Sequence, residues 1–104
     1  MAMDTIIRGT TPTISFSFAS VLPSELTTAI LTIKSGDSIV VEKDLNTATI
    51  ESKKLLWTLS QSEALTASGK AEIMLNWVTS GGTRGSSGKT EVYFEPNHID
   101  EVIE

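Results

Sequence analysis

Hydrophobic and polar residues alternate along most of this chain, and the alternation predicts strands. In "TISFSF", Ile14, Phe16 and Phe18 are interleaved with Thr13, Ser15 and Ser17. Successive side chains of a strand point to opposite faces, so this run has one dry face and one hydroxyl-lined face. "TAILTIK" places Ala29, Leu31 and Ile33 on one face, "SGD" at 35–37 turns the chain, and "SIVVEK" begins the second strand of a hairpin. A short strand is predicted around Ala48 to Glu51. "KLLWTLS" aligns Leu55, Trp57 and Leu59. "KAEIMLNWVT" aligns Ala71, Ile73, Leu75 and Trp77, with Met74 and Val78 on the other side. "KTEVYFE" sets Val92 and Phe94 against Glu91, Tyr93 and Glu95. The period-two positions predict a core of Ile14, Phe16, Leu31, Ile33, Leu55, Trp57, Ile73, Leu75, Trp77, Val92 and Phe94.

"SQSEALTASG" breaks this period. Ser60 is followed three residues later by Glu63, the spacing of a capping box, in which each residue's side chain accepts the other's backbone N–H. Ala64 and Leu65 then supply one helical turn, and Gly69 closes it. About seven to eight short strands, with turn signals roughly every ten residues, predict a small antiparallel β-sandwich with one short helical turn near residues 61–66. No linker or fixed-period repeat divides the chain, which reads as a single domain over residues 1–104. Residues 1–4 are expected to be a flexible N-terminus, Met1-Ala2 being set aside because Met3 reads as a second start. Residues 97–104 are expected to form a C-terminal tail after Pro96. In that tail Ile99, Val102 and Ile103 follow the i, i+3, i+4 rule and predict one face of a helical turn that needs a surface to dock on.

Composition narrows the function. With 104 residues, 39% hydrophobic and 20% charged, the chain is an ordinary globular one, and its 27 Ser and Thr suit strands and turns. A net charge of -5 with scattered basic residues speaks against nucleic-acid binding, which depends on neutralising phosphates. Lys53-Lys54, the one adjacent basic pair, reads as a solvated turn. The chain has no cysteine, so thiolate chemistry and disulfides are excluded. No apolar run reaches the roughly 20 residues of a helical membrane span.

The stretch "SGGTRGSSGKT", Ser80 to Thr90, resembles a phosphate-binding loop at first sight. The motif needs four residues between its first glycine and Gly-Lys-Thr, and that position is Thr83 rather than glycine. It also needs a following helix, whose N-terminus holds the phosphate, whereas "TEVYFE" alternates as a strand. The stretch therefore reads as a long hairpin loop, and no nucleotide is expected. His98, the one histidine, lies in a polar tail beside Asp100 and Glu101. It has no G-x-S-x-G elbow or second base to work with, so neither a catalytic nor a metal site is expected there. The carboxylates Glu42, Glu72, Glu91 and Glu95 fall on outward strand positions and do not single out a glycosidase pair. Trp57 and Trp77 could stack on a sugar, but both share a face with aliphatic residues. Tyr93 is the better candidate for an exposed aromatic contact.

The order of elements carries a resemblance. "IIRGTTPTISFSF" is an Arg-Gly-Thr followed by an alternating strand. "ELTTAILTIKSGD", "LSQSEALTASGKAEIMLNW", "GKTEVYF" and "HIDEVI" follow in turn. Together, over about residues 5–103, they resemble the N-terminal β-sandwich domain of upper baseplate and tail-associated proteins from tailed phages, or prophages, of Gram-positive bacteria. The resemblance implies an immunoglobulin-like sandwich in a virion tail or baseplate, present in the host cytoplasm during assembly. It implies a non-enzymatic structural protein, in homo-oligomeric contact with itself and with other tail or baseplate proteins, and without a cofactor. A carbohydrate-binding module is the alternative reading, and a hydrolytic enzyme a distant third. The residues expected to make assembly contacts are Tyr93, Ile99, Val102 and Ile103.

Overall fold

The structure is a computed structural model and describes residues 4–18 and 21–103. Nine strands occur among these residues. They are β1 (Asp4–Ile7), β2 (Thr13–Ser17), β3 (Leu26–Ser35), β4 (Ser38–Asp44), β5 (Thr49–Glu51), β6 (Lys54–Thr58), β7 (Gly69–Thr79), β8 (Arg84–Ser86) and β9 (Thr90–Glu95), with helix α1 (Gln61–Thr66) between β6 and β7. One sheet has the order β1-β9-β7-β3-β4, and the other is β2-β6-β5. β3 takes one side of β7 along most of its length. The other side is shared, by β9 at Gly69–Ile73 and by β8 at Asn76–Val78.

This is an immunoglobulin-like sandwich of the variable type. Its small sheet corresponds to B-E-D and its large one to G-F-C-C′, with β1 added beside the last strand. Three details differ from the sequence reading. Asp4, expected in a flexible terminus, is the first residue of β1, while residues 1–3 lie outside the described residues. β1 pairs with β9 in parallel, so the fold is not wholly antiparallel. The Ser80–Thr90 segment is not only loop, because β8 lies within it.

The alternation works as expected. Leu31, Ile33, Leu55, Trp57, Ile73, Leu75, Val92 and Phe94 are buried, and they come from both sheets. Ile14, Phe16 and Trp77 pack against that core but are only half-buried. Phe16 meets Trp57 edge-on, with ring centroids 6.1 Å apart. The indole Nε1 of Trp57 donates to the backbone oxygen of Asp44 at 3.0 Å, so this fully buried side chain leaves no polar atom unpaired. The β3–β4 turn is made by Gly36 and Asp37, and Gly36 has φ 62°, a left-handed conformation that glycine adopts without a Cβ penalty.

The capping box forms as the spacing predicts. The Glu63 N–H donates to Ser60 Oγ at 3.1 Å, and Glu63 Oε1 accepts from the Ser60 N–H at 2.8 Å. The same oxygen accepts from Lys43 Nζ at 2.9 Å, which ties α1 to β4. Burial alone would raise the Glu63 pKa. The bonds from Ser60 and Lys43 outweigh it and hold the carboxyl below its ordinary value. A carboxylate whose pKa is lowered by folding stabilises the native state above its unfolded pKa, and that contribution is lost as pH falls through the folded value. Ser60→Ala removes the oxygen that accepts from the Glu63 N–H and is expected to cost about 0.5–2 kcal/mol. Glu63→Gln removes the charge that the Ser60 N–H and Lys43 stabilise, so its difference from the wild type should shrink in acid. Urea unfolding at pH 7 and near pH 3 measures both, and a Glu63→Gln difference that is the same at the two pH values would count against the carboxylate as its source.

Candidate functional site: an apolar tail on the end of the sandwich

The tail does not form the helical turn that its spacing predicts. No helix occurs among residues 96–103, and Ile99, Val102 and Ile103 are all exposed. The tail is instead held to the sandwich by side-chain hydrogen bonds. Asn97 Nδ2 donates to the Arg8 backbone oxygen at 2.8 Å, and Arg8 Nη1 donates to Asp100 Oδ1 at 2.9 Å. Gln61, the first residue of α1, donates to the Ile103 oxygen at 3.0 Å and accepts from the Ile103 N–H at 2.8 Å. Its side-chain amide thus bonds the tail as a neighbouring strand would. A helical turn needs the Ile103 N–H for its own bond, and one turn does not repay its nucleation. Capture of the Ile103 backbone by Gln61, with the Asn97 and Asp100 side chains anchored on Arg8, wins.

Arg8 is the centre of this arrangement, and the reading of chemical motifs passed over it. It follows β1 directly. Besides Asp100 it donates through Nε to the Ala67 oxygen at 2.9 Å and through Nη2 to the Leu65 oxygen at 2.7 Å. These carbonyls lie at the C-terminal end of α1, where helical partners run out, and a planar cation suits them. One side chain therefore joins β1, α1 and the tail. The only sequence signal was its place in "IIRGTT", before Gly9, whose φ of 85° brings the chain close to Leu65.

The consequence is a row of apolar side chains facing water from a tethered backbone. Ile99 is 50% exposed, Val102 45% and Ile103 61%. Tyr93 is 41% exposed on the outer face of the large sheet, opposite Thr5 of β1. Ile7, 46% exposed, stands on that face one step along and was not singled out from the sequence. The bonds to Arg8 and Gln61 place the tail beside α1, and Tyr93 lies on the outer face of the large sheet.

The other candidate chemistries are arranged as follows. Thr90 begins β9, so a strand and not a helix follows Gly88-Lys89, and Lys89 lies 3.9 Å from Glu72. Lys53 sits in the β5–β6 turn and Lys54 begins β6, both exposed. His98, Asp100 and Glu101 are exposed, and the described residues hold no cluster of three or more His, Asp or Glu placed to share a metal ion. Sugar stacking needs an open ring face. Trp57 is fully buried and offers none, whereas Trp77 is half-buried, with the Gly85 backbone against its ring and Phe18 edge-on at 5.2 Å, and lines a shallow cleft of about 200 Å³ with Asn76 and Arg84.

No family model, curated protein or solved structure matches the chain. The functional reading therefore rests on the residues themselves. No helix among the described residues is long and apolar enough to cross a membrane.

Proposed function

We propose that this protein is a non-enzymatic structural component of a phage or prophage tail or baseplate, working through protein–protein contacts. The surface formed by Ile99, Val102, Ile103 and Tyr93 is one such contact. The observation that carries this reading is the tethered apolar tail. Apolar side chains of a segment outside helix and sheet normally fold back onto the core, yet here hydrogen bonds hold the Ile103 backbone while the side chains face outward. A backbone already ordered loses less entropy on binding, so more of the burial energy appears as affinity. The order of elements from "IIRGTT" to "HIDEVI", over the immunoglobulin-like sandwich, supports the virion setting, where one surface repeats around a symmetric ring.

Deleting residues 98–104 is expected to leave the sandwich folded by circular dichroism while shifting the protein toward smaller species in sedimentation velocity. Ile99→Ser with Ile103→Ser, which keeps the backbone bonds of the tail, should have the same effect. A profile unchanged by both variants over a wide concentration range would rule out the tail as an assembly contact.

A further inference from the structure

We propose that the free edge of β2 is a homotypic contact, at which two copies of this chain pair their β2 strands antiparallel about a two-fold axis through Ser15. The small sheet would then continue as β5-β6-β2 of one copy into β2-β6-β5 of the other. This contact is separate from the tail surface and does not depend on the virion reading.

The backbone chemistry identifies the occupant as an extended strand. β2 is paired by β6 on one side, and among the described residues nothing pairs with its other side. In an antiparallel ladder, alternate residues direct their N–H and C=O to opposite neighbours. The Phe18 N–H donates to Lys53 and the Leu59 N–H to Pro12, so the even-numbered residues of β2 face β6. Thr13, Ser15 and Ser17 therefore turn their N–H and C=O groups outward. A two-fold axis at Ser15 matches Ser15 with Ser15 and Thr13 with Ser17. Every outward group then finds a partner, and Ile14 stands opposite Phe16 on the inner face.

Charge identifies that strand as a second β2. Edge strands are ordinarily protected from such pairing by charged side chains. The other exposed strands of this chain follow that practice, with Asp4 on β1, Glu42, Lys43 and Asp44 on β4, Glu51 on β5 and Arg84 on β8. β2 lies in a stretch from Gly9 to Ser24 without a single charged residue. Only another uncharged edge meets it without burying an unmatched charge, and β2 is the one such edge on the described surface. The adjoining seam between the sheets is also unfilled. A cleft of about 380 Å³ opens between β1 and β2, with Asp4 at its rim and Ile6, Ile14, Phe16 and Val92 in its wall. A neighbouring strand would cover the half-buried Ile14 and Phe16. The paired strands are only five residues long. Pairing over that length gives less area than a tight complex has, so association is expected to be weak and concentration-dependent.

The absence of native cysteine makes the test direct. Ser15→Cys places one thiol on the axis, where paired strands hold the two Cα atoms about 5.5 Å apart, within disulfide reach. Mild oxidation at high protein concentration should give a covalent dimer of Ser15→Cys and much less of Thr58→Cys, which is equally exposed but lies on the middle strand of the sheet. Ser15→Lys keeps the fold and sets like charges opposite each other. It should move the midpoint of self-association, followed by sedimentation, to about fivefold higher concentration. Equal cross-linking of the two cysteine variants, or an association curve unmoved by Ser15→Lys, would overturn the proposal. Loss of association on deleting the tail, with Ser15→Cys still cross-linking selectively, would support both contacts as independent.

Discussion

Trp57→Ala is expected to lose about 3–5 kcal/mol of unfolding free energy, the range for truncating a large buried aromatic. Trp57 is fully buried on the central strand of the small sheet, and Phe16 meets it edge-on. Truncation removes the apolar area of the indole and leaves a cavity that a close-packed interior only partly closes. It also removes one of the two side-chain donors to the Asp44 carbonyl, which keeps the Thr47 hydroxyl at 2.9 Å. A domain of this size has a total stability of roughly 5–15 kcal/mol, so the variant approaches the threshold of folding. Trp57→Phe separates the two effects. It keeps most of the packing and loses the hydrogen bond, while the Asp44 carbonyl retains Thr47 as donor, for an expected cost of about 0.5–1.5 kcal/mol. Urea denaturation of both variants makes the measurement. A loss below about 1 kcal/mol for Trp57→Ala would mean that the two sheets do not pack through this residue.

The second large effect comes from adding atoms. Gly85 of β8 is directly opposite Trp77 of β7, and a Cβ built on it would lie 2.5 Å from the ring atoms Cε2 and Cζ2. No real Cβ sits so close, and an aromatic ring wedged beside Phe18 is not a flexible chain end. Gly85→Ala must therefore push the indole away or break the β7–β8 pairing, with an expected cost of about 1–3 kcal/mol. Gly81→Ala is the control, because the nearest atom to its added Cβ is Thr79 Oγ1 at 3.9 Å and its φ is not in the left-handed region. It should leave stability within about 0.5 kcal/mol. Thermal unfolding together with near-ultraviolet circular dichroism reads both variants. Equal stability of the two would show that the glycine at 85 is not required by the indole.

β1 and β8 escaped the sequence reading for related reasons. "DTII" is too short to alternate, and it becomes a strand only because β9 offers it an edge. "RGS" has no apolar residue at all, and its pairing depends on an indole from a strand earlier in the chain that covers its glycine. The half-exposure of Trp77 has the same origin. Its alternation with Ile73 and Leu75 fixes which face it occupies, but how much covers it there depends on β8 and Phe18. Arg8 shows in the sequence only as part of "IIRGTT", because its partners are carbonyls of residues more than fifty positions away.

What the sequence determined by itself was whatever depends on near neighbours along the chain. The two faces of each longer strand follow from the period of two. The Gly36 turn follows from a left-handed conformation, and α1 from the reciprocal bonds of Ser60 and Glu63, which span three residues. The exclusion of a phosphate loop follows from spacing and from the strand after Lys89. Tertiary structure decided whatever depends on competition for the same groups. The tail has the spacing of a helical turn, but the Ile103 backbone bonds Gln61, the Ile99 N–H bonds Asn97, and the Asn97 and Asp100 side chains bond Arg8, with Gln61 and Arg8 both distant in sequence. Its apolar side chains are thereby left facing water. Among the described residues, the outward carbonyls and N–H groups of β2 are unpaired for the same kind of reason. The alternation of "TISFSF" fixes which residues face the core, but only the order of strands in the small sheet decides which edge remains unpaired.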